Sequence, residues 1–189
     1  MRAKTPVLVA GIVTTLIASA ASADFSSASW TLTNSGLDGG FGQFAVGQTL
    51  NLVAGNPSGT GTLDSSTMTL FGGNAASRGV TWYSTVASSA GTISVNWAYT
   101  SAPGADSAGW DGAGWVLNGV YTTLAINSGS PASGTLSFSV NAGDTFGFGA
   151  ATVDGLFGSG TATFTNFVPA PGAFGLLAMA GLAGSRRRR

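Results

Sequence analysis

The sequence predicts an all-β body, an antiparallel β-sandwich of jelly-roll-like design, flanked by an N-terminal signal helix and a C-terminal hydrophobic sorting helix. Three observations lead there. Between residues 24 and 167 apolar residues recur at every second position. Turn-forming residues punctuate them at short intervals. Apolar runs without that alternation sit only at the two ends.

The alternation runs along the body in order. Leu50 and Leu52 come first, then Met68 and Leu70, then Val80 and Trp82. Ile93, Val95, Trp97 and Tyr99 follow, with Ser94, Asn96 and Ala98 between them. Leu136, Phe138 and Val140 alternate with Ser137 and Ser139, and Phe146 and Phe148 flank Gly147. A last strand is expected over Thr161 to Phe167. A half-buried strand shows this period of two because successive side chains point to opposite faces. The expected core is therefore Ile93, Val95, Trp97, Leu136, Phe138, Val140, Phe146 and Phe148, with Trp97 at its centre. Residues 31–70 are glycine-rich and read as long loops or edge strands.

The turns agree with strands. Asn118-Gly119 between two apolar runs is a type I′ hairpin signal, since both central residues must take positive φ. Asn141 to Asp144 links the Leu136 strand to the Phe146 strand, and Ser88 to Gly91 separates two more. This spacing gives about eight to ten strands.

Composition excludes several functions. The 189 residues include no Cys and no His. There is no Glu either, and Lys4 is the single lysine. Zinc fingers, thiolate clusters, Ser-His-Asp triads and cysteine nucleophiles are all ruled out. The fold has no disulfides and stands on packing and hydrogen bonds. Charge is segregated: Arg2, Lys4 and Arg186 to Arg189 lie at the ends. Residues 24–168 carry Arg78 against seven aspartates, a net charge of −6. Such a body has no basic footprint for nucleic acid and is repelled by an anionic membrane surface. Arg78 is expected to pair with an aspartate or a loop carbonyl.

Residues 1–23 read as a signal peptide. Arg2 and Lys4 form the basic start, residues 6–18 the apolar run, and Ala21-Ser22-Ala23 the small-x-small cleavage site. The run is shorter than the about 20 residues of a spanning helix. Residues 24–167 form the β-sandwich domain, and 168–189 a tripartite tail. The tail consists of Val168, Pro169, Ala170 and Pro171, an apolar stretch from Gly172 to Ser185, and the cluster Arg186, Arg187, Arg188, Arg189. As a helix the apolar stretch is about 21 Å long, short of the roughly 30 Å bilayer core, so it relies on snorkelling arginines. The arginines stay cytoplasmic by the positive-inside rule, as do Arg2 and Lys4, making the precursor a hairpin with its acidic body outside.

This tail resembles the PEP-CTERM sorting signal of exported bacterial proteins, which has the same three parts in the same order. The resemblance implies processing near the motif by an exosortase, an integral-membrane cysteine transpeptidase, after signal peptidase has acted. It also implies an association with extracellular polysaccharide, a location at the cell surface or outside it, and membrane tethering as a precursor. Ala170 stands where the family carries Glu, which implies a variant processing enzyme. Within the body, the sequence from Thr81 to Thr152 resembles a β-sandwich domain common in such proteins. The shared features are a Trp strand, the loop Asp111-Gly-Ala-Gly-Trp115, the Asn118-Gly119 hairpin and the run Val140-Asn-Ala-Gly-Asp-Thr-Phe-Gly-Phe148.

Chemistry-bearing residues in the body are few. Asp106 and Asp111 share a Gly/Ala/Ser loop with Trp110. Paired carboxylates suit glycoside hydrolysis, but no Glu, His or Lys is present to tune them, and a non-catalytic protein is expected. The same oxygens with loop carbonyls could hold Ca²⁺, but no EF-hand pattern exists, and Asp as a turn former is the favoured explanation. No cofactor is otherwise expected. Trp110 beside carboxylates could stack on a sugar ring, or simply pack. Three functions are carried forward, in this order: a non-catalytic surface or matrix protein, a secreted carbohydrate-binding module and, a distant third, a secreted hydrolase.

Overall fold

A computed structural model describes residues 25–73, 78–101, 109–128, 131–154 and 160–169. Both terminal helices of the sequence reading lie outside these residues. A 3₁₀ turn, Phe25–Ser27, precedes eleven strands. They are β1 (Thr31–Leu37), β2 (Thr49–Val53), β3 (Thr60–Leu63), β4 (Thr67–Phe71), β5 (Gly79–Val86) and β6 (Gly91–Thr100). The rest are β7 (Asp111–Leu117), β8 (Val120–Ile126), β9 (Ala132–Val140), β10 (Thr145–Thr152) and β11 (Thr161–Val168).

All pairing is antiparallel, in two sheets. The second sheet is open, in the order β3-β4-β11-β6-β9. The first departs from a plain sandwich layer: β1-β2-β8-β7-β10-β5 closes on itself. Closure occurs at Gly36, which pairs with Gly79 of β5 on one side and Val53 of β2 on the other. A side chain there would meet the Ala54 carbonyl oxygen at 2.7 Å, so only glycine allows the approach.

Two cores result. The closed sheet is filled by Leu37, Phe44, Leu50, Val80, Trp82, Val116, Tyr121, Ala151 and Val153. Between the sheets lie Met68, Leu70, Ile93, Val95, Tyr99, Phe146, Phe148, Phe164 and Phe167. Phe148 stacks on Phe164 at 4.9 Å between centroids and fixes the layers face to face. Six of the eight expected core residues are buried; Trp97 and Phe138 are only half-buried. The reason is their place at the sheet margin. Phe138 lies on edge strand β9, and Trp97 faces Gly134 of β9, which offers no side chain to cover it.

The Asn118-Gly119 hairpin forms as expected, with φ of 49° and 83°. The other two turns do not make hairpins. Ser88 to Gly91 joins β5 to β6, and Asn141 to Asp144 joins β9 to β10, each crossing from one sheet to the other. The crossings bond to each other, Ala87 N–H to Asp144 O and Gly143 N–H to Ala87 O, both 2.8 Å. Asp144 ties both links to the hairpin by accepting from the Asn141 amide (2.6 Å) and Asn118 Nδ2 (2.9 Å), which holds its carboxyl below the usual range. Arg78 donates to the Gly40 carbonyl and lies 5.0 Å above the Phe44 ring, in agreement with the expected carbonyl pairing.

Candidate functional site

The loop containing Trp110 and Asp111 ends where β7 begins. Asn127, just past β8, organises it: its Oδ1 accepts from the amides of Trp110 (2.9 Å) and Asp111 (3.2 Å). The Asn127 amide in turn donates to Asp111 O at 2.9 Å. Alternation along β7 then turns Asp111 to the same side as Ala113, Trp115 and Leu117, toward the second sheet. Asp111 stands opposite Thr152 of β10.

Asp111 is only 3% exposed, and its Oδ1 has no hydrogen-bond partner among the described residues. Burial raises its pKa to about 6; the Thr152 hydroxyl pulls it down, and the Asp154 charge pushes it further up. The Tyr99 hydroxyl, projecting from β6 into the same intersheet space, is also buried and without a partner among the described residues, and burial pushes its pKa up. The group can hold a proton in the core near neutral pH. It presents almost no surface to a substrate.

Trp110 is half-buried against the core of the closed sheet, so much of its ring is engaged in packing. Asp106 lies outside the described residues. Among those described, no three acidic, His or Cys side chains gather as cation ligands. Val168 ends β11 and is 43% exposed, followed by Pro169. Ala170, Pro171, Arg186 to Arg189, Ala21 and Ala23 lie outside the described residues, as does the Gly172 to Ser185 stretch. Among the described residues no helix is long and apolar enough to cross a membrane.

Two surfaces went unmarked in the sequence reading. One is the outer face of the open sheet. Register aligns Thr62, Thr69, Thr163, Ala98 and Ser133 in one row, and Thr67, Thr165, Asn96 and Thr135 in the next. The other is a shallow depression of about 440 Å³ whose lining includes Ser29, Thr31, Ser84, Ser88 and Thr145. Both are uncharged and rich in hydroxyls. The polar half of each strand's alternation was visible in the sequence, but only register assembles it into a surface.

No family model matches the chain, and no curated protein matches it. Similar solved structures include the CBM35 of Abf62 from Cellvibrio japonicus, 18% identical, covering 71% of this chain and 92% of that one, with a TM-score of 0.34. Another is a family 35 carbohydrate binding module from Clostridium thermocellum, 12% identical, covering 72% and 92%, with a TM-score of 0.30.

Proposed function

We propose that this chain is an exported, non-catalytic protein of the bacterial cell surface or extracellular matrix, delivered by its two ends. Signal peptidase removes residues 1–23, and an exosortase-like transpeptidase acts at Val168 to Pro171. One observation supports a separable tail. β11 is central in the open sheet and ends at Val168, the first residue of the motif and paired with Ser94, so among the described residues only Val168 of the motif belongs to a strand. Proline at 169 and 171 favours an extended backbone at the residue before each, the form in which a peptide enters a cleft. The test is mass spectrometry of the protein recovered from the cell surface. The expected form begins at Asp24 and lacks Arg186 to Arg189; mature protein that keeps its arginines contradicts the proposal.

A second reading, binding of exopolysaccharide, is favoured by the uncharged hydroxyl and amide rows on the outer face of the open sheet. A neutral glycan offers matching donors and acceptors and no charge. Glycan-array binding lost on Thr69→Lys/Thr163→Lys supports this reading. Loss on Trp110→Ala alone places the sugar at the β7 loop instead.

A further inference from the structure

We propose that β9 is a self-association edge, through which two copies of this chain pair antiparallel into one continuous ten-stranded sheet. The inference is independent of the export reading and starts from edges. A strand with one free side presents unpaired N–H and C=O groups, and proteins blunt such edges by closure, shortness, proline, charge or bulges. Closure gives every strand of the first sheet two neighbours, although β1 meets β2 only at Gly36 and Leu37. In the open sheet β3 is four residues long, with Pro57 upstream and Asp64 immediately after it.

β9 has none of these protections within its length, although Pro131 stands just before it. It is nine residues long, pairs with β6 without a bulge from Ala132 to Val140, and pairs with no other strand among the described residues. It holds no charge and no proline, and between Asp111 and Asp144 the chain carries no charged residue. Alternate residues along it direct their backbone groups away from β6, a ladder ready for another strand.

The side chains indicate which strand fits. Two copies related by a two-fold axis through Leu136 place Ser133 opposite Ser139 and Thr135 opposite Ser137 on the outer face. On the inner face Leu136 meets itself, Ala132 meets Val140, and Phe138 meets Gly134. That last pair is the informative one. Phe138 is half-buried, stacked on Trp115 at 4.4 Å, and Gly134 is the strand's only position without a side chain. A Cβ on Gly134 would lie 3.0 Å from the Trp97 ring, so the glycine makes room for that half-buried ring at the edge of the sheet. A cross-strand aromatic shielding an edge glycine is a known way to stabilise such a pair. Here Phe138 of each copy comes opposite Gly134 of the other, beside the Trp97 ring that lies over it. Pairing adds about eight to ten main-chain hydrogen bonds. Each body carries net negative charge, so association strengthens as salt screens their repulsion.

The test uses the full chain in detergent, by sedimentation velocity across a concentration series. The expected result is a monomer–dimer equilibrium. The chain has no cysteine, so single cysteines at Ser137 or Ser133 take spin labels uniquely. The register predicts backbone separations between copies of about 8 Å at position 137 and about 20 Å at position 133. Thr135→Lys/Ser137→Lys sets like charges opposite each other and is expected to weaken association at least tenfold. Thr135→Lys/Ser137→Glu sets opposite charges there and should retain it, which separates loss of pairing from loss of fold. A monomer at every concentration, a dimer unaffected by the double lysine variant, or labels closer at 133 than at 137 would overturn the proposal.

Discussion

The two sheets solve the same problem with different halves of one composition. In the closed sheet β10 is buried on both faces. One half of its alternation, Phe146, Phe148 and Ala150, faces the open sheet. The other half is Gly147, Gly149 and Ala151, and its two glycines make room for Trp82 inside. In the open sheet only one face is covered, and the second half of the alternation is Ser, Thr and Asn. Small residues between apolar ones therefore mark a second buried face, whereas hydroxyl residues mark solvent. Closure also gives each strand of the first sheet two neighbours, whereas among the described residues β9 of the second has one.

The largest effect is expected where the sheets meet. Phe148 is fully buried and packs against Phe164, Phe146 and Trp30. Phe148→Ala should cost about 3–5 kcal/mol in urea melts. A loss below about 1 kcal/mol would mean that the layers do not depend on this contact. Next comes the closed interior. A Cβ on Gly114 would lie 2.4 Å from the Tyr121 ring, so Gly114→Ala should destabilise by about 1–3 kcal/mol despite adding one methyl. A neutral or stabilising result would show a looser interior.

Asp111 sharpens the comparison through pH. Its folded pKa, about 6, lies above the unfolded value, so the native state binds more protons between the two. Stability from this group is fully present below about pH 4 and is lost as pH rises through about 6. Asp111→Asn removes that loss and should stabilise the protein at pH 7.5 by about 1–2 kcal/mol, with little difference at pH 3.5. The test is a pair of thermal melts at the two pH values; a variant less stable at pH 7.5 would show that the carboxylate is satisfied. Asp38, Asp64 and Asp144 run the other way. Hydrogen bonds from Asn51, Ser66 and Asn141 respectively lower their pKa values, and their contribution is lost as pH falls. The smallest effect belongs to the outer face of the open sheet. Ser139 is exposed, and Ser139→Ala should change stability by no more than about 0.5 kcal/mol in the same melts.

The open sheet was largely legible in the sequence. The alternation from Ile93 to Tyr99 and from Leu136 to Val140 identified its strands and faces; in the closed sheet Asn118-Gly119 fixed one hairpin. Closure was not legible, because it depends on one glycine, Gly36, pairing on both sides, and no local pattern encodes a second partner. The turns at Ser88 and Asn141 showed that the chain reverses but not which sheet receives it. Trp110 and Asp111 were marked by residue type. Their burial follows from Asn127 drawing the loop inward, a contact between residues 16 and 17 positions apart that composition does not show.

The contrast between a closed and an open sheet is read most directly by amide hydrogen exchange of the full chain at high dilution. Slow exchange is expected along β10 and β7 and at the closure, Gly36–Leu37 with Leu52–Val53. Along β9 every second amide should be slow, bonded to β6, and its neighbours fast. Uniform protection across β9 in the monomer, or exchange at the closure as fast as at the β9 edge, would contradict it.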